Sequence, residues 1–371
     1  MVLAAITYFI LFVLPFVVLP NFPLMFEPPK AVIGEILIQL LLIATLFKFP
    51  LKFFKQLNPL LIILSLILVC LSFVHIFLYQ NDSALYGNPY RLQGIILLWH
   101  LLTFAVLTSH LNLDHFPEST FFAPIIGLFL ATLIMGENGA GRSIGTLGEP
   151  NALATTALFF LPFALIPSST HSFKNRLPRR LWLLAMTGIS LAIIIMSGSR
   201  SAVLGLLIMG FYLLMNRFKL GLGKALIVSL VIICFSLVTP FLEEGSWFEN
   251  RSEIWQTAFY SGLESPLLGQ GFGNIEESLK ATSIRLNSRV QHQVIDSSHN
   301  LFLDIWVQGG LLGLGVFLML LSVSFRGLVK QKRVIEILGL LGLLVCLSFN
   351  PVSSVNLFAF YFLMGQGYRN N

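Results

Sequence analysis

About twelve apolar runs, each close to the length of a bilayer-spanning helix, constrain this chain more than any other feature. Only 11% of the residues are charged and 56% are hydrophobic, a balance that soluble domains do not show. The pattern predicts an all-α polytopic integral membrane protein, a single membrane domain over 1–371 with about twelve transmembrane helices, or between about ten and thirteen. The expected spans are 2–20, 31–47, 59–79, 92–108, 120–135, 152–167, 181–197, 201–216, 222–240, 300–325, 334–349 and 352–368.

Basic residues orient these spans, because cytoplasmic loops are enriched in lysine and arginine. With the N-terminus inside, four of the five inner loops are basic, and both termini are cytoplasmic. The first span lacks a basic flank and a cleavage site, so we expect a retained helix. The net charge of +6 then reflects topology and indicates no nucleic-acid partner. The basic inner residues are Lys48, Lys52, Lys55, Lys174, Arg176, Arg179, Arg180, Arg217, Lys219, Lys224, Arg326, Lys330, Lys332 and Arg333.

The same orientation places a large loop, 241–298, outside the membrane, directly before the tenth span. Three arginines stand at outer helix ends, where the positive-inside rule depletes basic residues: Arg142, Arg200 and Arg251. Singly, each could reach to lipid headgroups. Together they indicate an anion site, because the planar guanidinium donates two parallel hydrogen bonds to phosphate oxygens.

His299 begins the tenth span after two serines, either of which could cap the helix. The helix dipole and the nearby arginines disfavour a charged imidazole, so we expect a lowered pKa and a neutral ring that can accept a proton. Asn300, Asp304 and Gln308 follow at helical spacing and share one face. The alternative is a purely structural histidine at a helix start.

Several other features are interpreted more simply. The remaining outer cations are expected to be mostly solvated loop charges: Lys30, Arg91, Lys280, Arg285 and Arg289. The cysteines, Cys70, Cys234 and Cys346, lie in apolar runs and imply core positions rather than a disulfide or a metal site. No ligand set at metal spacing accompanies the histidines, and the glycine-rich "GQGFGN" follows no strand, which argues against a dinucleotide loop.

The chain resembles the O-antigen ligase/O-antigen polymerase family of bacterial membrane glycan transferases. Their ligase-type signature is His, then Asn, Ser or Gln, nine residues, Gly, two residues, and Gly, Thr or Tyr. His299 and Asn300, followed by Gly310 and Gly313, match it completely. The segments "GRSIGTLGEPN", "SGSRSA", "RSEIW" and "SPLLGQGFG" are also similar, so the resemblance covers roughly 140–315.

The resemblance implies transfer of a glycan from a polyprenyl-pyrophosphate carrier to a glycan, lipid or protein acceptor, without cofactor or metal, at the periplasmic or external face of the bacterial inner membrane. In that reading His299, Arg251 and Arg200 are catalytic, and Arg142, Asn300 and Asp304 bind substrate. For Asp304 the assignment rests on its place on the same helix face, where it could orient the cluster, and not on the family resemblance. A polysaccharide polymerase and a protein O-oligosaccharyltransferase remain alternatives. A solute transporter is less favoured, because transporters place their polar sites near the midplane.

Overall fold

The computed structural model describes residues 2–20, 24–48, 57–79, 82–111, 119–165, 176–217, 251–292 and 295–369. Within these ranges the chain is almost entirely helical and forms no β-strand beyond one isolated bridge. The α-helices are α1 (Val2–Tyr8), α2 (Glu27–Lys48), α3 (Pro59–Tyr79), α4 (Asp82–Tyr86), α5 (Ile95–Thr108), α6 (Ser119–Ile134), α7 (Pro150–Leu165), α8 (Arg176–Ser197), α9 (Arg200–Arg217), α10 (Arg251–Glu264), α11 (Ile275–Arg285), α12 (Leu301–Lys330), α13 (Val334–Leu347) and α14 (Ser354–Gly367).

Three of these helices, α2, α3 and α12, are long and apolar enough to cross a membrane, and seven further apolar helices are shorter. The chain is therefore an all-α membrane protein. The span count stays a prediction, because the expected span 222–240 lies outside the described residues. The first expected span, 2–20, is no regular helix, since α1 passes into a π-helical turn at Phe9–Val13 and a 3-10 turn at Leu14–Phe16.

The core is centred on the hairpin of α13 and α14, whose residues are buried almost throughout. Helix α14 packs against α5, α12 and α13, while α13 also packs against α7 and α9. Glycine permits the closest approaches: a Cβ added to Gly365 would overlap the backbone of Ala105, and one added to Gly367 would overlap that of Ser324. This buried hairpin holds its connecting loop, 348–353, at one end of the bundle.

The predicted external loop 241–298 is largely helical where the structure describes it. Helices α10 and α11 and a 3-10 turn at Arg289–His292 occupy most of 251–292. Ile254, Trp255 and Ala258 are buried, so the apolar face of α10 packs on the bundle.

Helix α12 is broken at Gly310, whose φ of 60° and ψ of −159° are not helical. The N–H groups of 311–312 donate instead to the carbonyls of 266–267, at 2.8 and 3.1 Å, and the carbonyls of 307–308 accept from the N–H groups of 270–271, at 2.7 and 3.0 Å. The loop thus supplies the hydrogen bonds that the break removes, which an apolar environment requires. This is the backbone role of the glycine-rich "GQGFGN" segment.

Candidate active site

The loop 348–353 contacts two other parts of the chain, α9 and α10, at one end of the bundle. A guanidinium N–H of Arg251 donates to the carbonyl of Phe349. The Asn350 side chain donates to Ser201 Oγ at 2.5 Å, which ties the first turn of α9 to the same loop. Arg251, the first residue of α10, therefore contacts this buried loop directly, and Arg200, the first residue of α9, adjoins the serine that binds it.

Arg142 lies beside the short turn that connects α8 to α9. Its Nε donates to the carbonyl of Ser197 at 2.7 Å, and its Nη2 donates to Asn151 Oδ1 at 2.8 Å. Arg200 begins α9 three residues after Ser197 and is exposed. The predicted arginines thus stand at one end of the bundle. Asn151 accepts from Arg142 within the first turn of α7.

His299 occupies a left-handed backbone conformation, with φ of 60°, directly before the helix. Its N–H donates to Ser297 Oγ at 3.2 Å. The expectation that Ser297 or Ser298 caps α12 is wrong: Asn300 is the N-cap, accepting from the N–H groups of the residues two and three further on, at 3.0 and 3.3 Å. Few residues other than glycine adopt positive φ, and those that do are frequent at functional sites.

The electrostatics of His299 agree with the prediction in direction. Burial lowers the pKa of its imidazole to about 4, with Arg251 lowering it further, Asp296 opposing and Arg91 adding to the decrease. The expected contribution of the helix dipole stays a prediction. Nδ1 of the ring is buried and has no hydrogen-bond partner among the described residues. The ring is therefore neutral at physiological pH and keeps one nitrogen unengaged.

Asn300 and Asp304 are buried and bind the backbone around His299. Asp304 Oδ1 accepts from the N–H of Ser298 at 2.7 Å, and Ser298 Oγ donates to the carbonyl of Asn300 at 3.0 Å. These contacts fix the turn that presents the imidazole. Direct substrate contact by either side chain stays a prediction, for which the structure offers only the small cavity of about 90 Å³ beside Asp304.

The interpretation of Arg91 and Lys30 as solvated charges is wrong. The side chain of Arg91 is 13% exposed, pairs with Asp296, and donates to the carbonyl of Val352 at 3.1 Å. Lys30 is fully buried, and its Nζ donates to the carbonyl of Thr146 at 2.6 Å. Both contacts join residues far apart in sequence, which no local pattern indicates. Lys280, Arg285 and Arg289 are exposed, as expected.

Sequence reasoning also assigned no role to three carboxylates near this end: Glu27, Glu149 and Asp296. Together with Arg91 they line a cavity of about 370 Å³. Glu149 stands in the "GRSIGTLGEPN" segment, and Asp296 stands three residues before His299. Their proximity to these motifs could have identified both carboxylates as site residues. Among the residues that the structure describes, no group of three or more His, Cys, Asp or Glu side chains is arranged to hold a metal ion.

The comparisons with known proteins agree with this geometry. The family model described as O-antigen ligase matches residues 185–318, a range that contains Arg200, Arg251 and His299. No curated protein matches the chain significantly. Arg142 lies outside the matched range but contacts the turn at 197–198 within it. Over residues 185–318, the chain is similar to the O-antigen ligase family.

Proposed function

We propose that this protein transfers a glycan from a polyprenyl-pyrophosphate carrier to an acceptor hydroxyl at the outer face of the membrane. The observation that carries the proposal is that Arg251 acts electrostatically on His299 and is linked through the loop 348–353 to the first turn of α9, which Arg200 begins. All three residues lie within the family match. A lipid-linked donor needs a cationic site for its leaving pyrophosphate and a proton acceptor for the attacking hydroxyl. Both kinds of group are present at this end.

The arginines would bind the pyrophosphate as it leaves. Arg200 stands at the exposed N-terminal end of α9, where the helix dipole adds to its positive charge. Arg142 is held by a backbone carbonyl and an amide oxygen, neutral groups that fix its orientation without cancelling its charge. A preorganised positive site of this kind stabilises the charge that develops on the leaving group.

His299 would act as the general base. The acceptor oxygen attacks the anomeric carbon, the bond from that carbon to the pyrophosphate oxygen breaks, and the hydroxyl proton passes to the neutral imidazole. Its lowered pKa keeps the ring ready to accept a proton at neutral pH, although it also makes the imidazole a weak base. Asn300, Asp304 and Ser298 would position the ring through the turn that they stabilise.

The position of the site relative to the basic segments supports a location on the non-cytoplasmic side of the membrane. Helix α12 begins next to His299 and ends at Lys330, beside the basic segment 326–333. Since basic loops favour the cytoplasm, the opposite end would face the periplasm or exterior of a bacterial inner membrane. Chemistry at the helix ends also favours an enzyme over a transporter with a site at the midplane.

Three acceptors are compatible with this chemistry. Ligation would use a lipid or another non-carrier acceptor, polymerisation would use a second carrier-linked glycan, and protein O-glycosylation would use a hydroxyl side chain. We favour ligation, because His299, Asn300, Gly310 and Gly313 complete the ligase-type signature.

The experiment is a comparison of surface glycans from cells with and without the protein, together with transfer by the purified protein in liposomes that contain a polyprenyl-pyrophosphate-linked glycan. Loss of glycan attachment with accumulation of the carrier-linked glycan is expected for a ligase. Shortened chains would identify a polymerase, and loss from proteins alone would identify an oligosaccharyltransferase. Unchanged glycans combined with no transfer in liposomes would contradict the proposal.

A further inference from the structure

The cavity of about 370 Å³ at the His299 end of the bundle is not used by the mechanism above. Its volume falls in the range of about 300–1,000 Å³ that is usual for small-molecule sites. It lies where α2 begins, between the loop that carries Arg91 and the loop that leads into α7. Asp296, one of its lining residues, is three positions from His299 and acts electrostatically on that imidazole.

The three carboxylates of this cavity differ in how many hydrogen bonds and ion pairs they make within the protein. The Glu27 carboxylate accepts from Ser353 Oγ at 2.8 Å and from the N–H of Ser354 at 2.9 Å. Asp296 is paired with Arg91. Glu149 lies 3.9 Å from Arg91 Nη1 and its side chain is 26% exposed. Because an ionised carboxylate has about four acceptor positions, Glu149 keeps acceptor capacity toward the cavity.

The rest of the lining is apolar or aromatic. Tyr90 is half-exposed at the cavity, at 50%. Side chains that offer apolar surface complete the wall: Leu24, Met25, Phe26, Pro28 and Leu147. A carboxylate that accepts hydrogen bonds, a guanidinium that donates them and an amphipathic ring suit a ligand with hydroxyl groups on its edge and C–H groups on its faces.

The charges exclude other ligand classes. Three carboxylates face one guanidinium, so the lining disfavours the pyrophosphate of the donor. A divalent cation is also disfavoured, because Arg91 stands among the carboxylates and two of them are already engaged. A neutral molecule rich in hydroxyl groups remains.

We infer that this cavity binds a neutral pyranose ring of the acceptor glycan, with Glu149 accepting from its hydroxyls and Tyr90 covering one face of the ring. The identification of this sugar as part of the acceptor rests on the proposed function, but binding of the sugar does not require transfer. Burial raises the pKa of the Glu149 carboxyl to about 7, with Arg91 opposing, so at neutral pH this group can accept from or donate to a sugar hydroxyl.

The test measures sugar binding by saturation-transfer NMR on the full-length protein in lipid nanodiscs, without donor. The probes are D-glucose, D-galactose and N-acetyl-D-glucosamine, each added separately. We expect saturation transfer to the ring protons of at least one sugar. Glu149→Gln and Tyr90→Ala should each weaken that binding about tenfold, the loss expected for one charge-assisted hydrogen bond or one ring contact.

Matched controls lie on neighbouring segments. Glu137→Gln changes an exposed carboxylate in the same loop as Glu149, and Tyr86→Ala removes a tyrosine that is 55% exposed close to Tyr90. Both controls should bind the sugars like the wild type. No binding of any probe, or equal binding by the Glu149 and Tyr90 variants, would overturn the inference. So would thermal stabilisation by Ca²⁺ or Mg²⁺ that disappears in Glu149→Gln, because it would assign the cavity to a cation.

Failure of this inference can be told from failure of the proposed function. Normal transfer from a lipid-linked donor, with an acceptor KM unchanged by Glu149→Gln and Tyr90→Ala, overturns the cavity assignment alone. Sugar binding that depends on these two residues, without any transfer, overturns the proposed transferase reaction and leaves the binding site in place.

Discussion

Replacement of His299 by asparagine is the sharpest perturbation of the proposed base. Alanine would combine loss of the imidazole with strain, because His299 has φ of 60° and alanine adopts this conformation poorly. Asparagine tolerates it and cannot act as a base at neutral pH. We expect His299→Asn to be produced and folded normally and to transfer glycan about a hundred to ten thousand times more slowly, the usual range for general base catalysis.

The environment of His299 narrows the expected loss of transfer rate and predicts how the wild-type rate depends on pH. A base whose pKa is about 4 accepts protons weakly at pH 7, so the loss should lie nearer the lower end, about a hundredfold. An ordinary imidazole with a pKa of about 6.5 would be roughly nine-tenths protonated at pH 5.5, but His299 would be only about 3% protonated. Protonation of His299 should therefore leave the wild-type transfer rate almost unchanged from neutral pH to about 5.5. It should lower the rate only near pH 4.

The assay is initial-rate transfer in liposomes as a function of pH. It is run at saturating acceptor with Glu149→Gln as the background, because burial raises the pKa of Glu149 to about 7 and its titration would otherwise overlap. Saturation removes the effect that this substitution is expected to have on acceptor binding. His292→Asn, at an exposed histidine of the same external segment, is the control and should leave the rate unchanged. A tenfold fall at pH 5.5 that vanishes in His299→Asn would refute the lowered pKa. A normal rate in His299→Asn would refute the role as base.

Three further outcomes are expected. Lys280→Cys should react with a membrane-impermeant thiol reagent in intact cells and Arg176→Cys should not, because 241–298 is predicted outside and the basic segment 174–180 inside. Arg200→Lys should reduce transfer roughly tenfold to a hundredfold, since an ammonium cannot reproduce a bidentate contact to phosphate. Gly310→Ala should destabilise the protein by roughly 1–3 kcal/mol or more in thermal unfolding, because its φ is 60° and a Cβ would overlap the backbone of Leu267.

Each of these has a control or a contrary result. Gly315→Ala, in the same helix with open space around its Cβ position, should not destabilise. Arg289→Lys, at a side chain that is 84% exposed, should transfer normally. Full activity of Arg200→Lys would make that arginine a headgroup anchor, and the reverse labelling pattern would invert the orientation and move the proposed site to the cytoplasmic face.

The sequence anticipated the parts of the site that depend on position along a helix. Apolar runs locate helix ends, and basic loops sort those ends by side, so His299, Arg200, Arg251 and Arg142 could be placed at one end of the bundle without any knowledge of packing. Contacts between side chains and backbone carbonyls could not be predicted from the sequence. The loop 348–353 binds Arg251 through the carbonyl of Phe349, and a carbonyl carries no residue signature.

Electrostatic differences between the arginines could likewise be seen only in three dimensions. Arg91 and Arg142 both stand in predicted outer loops, and the sequence distinguished them only by the position of Arg142 close to a helix end. In the structure Arg91 is paired with Asp296, 205 positions away, so most of its charge is neutralised within the protein. Arg142 is oriented by the Ser197 carbonyl and the Asn151 amide, two acceptors that carry no charge. An arginine held by neutral acceptors remains able to attract an incoming phosphate, whereas one held by a carboxylate serves mainly to fix the fold. On this criterion we propose Arg142, which lies outside the family match, as an anion-binding group, whereas Arg91 lines the neighbouring cavity.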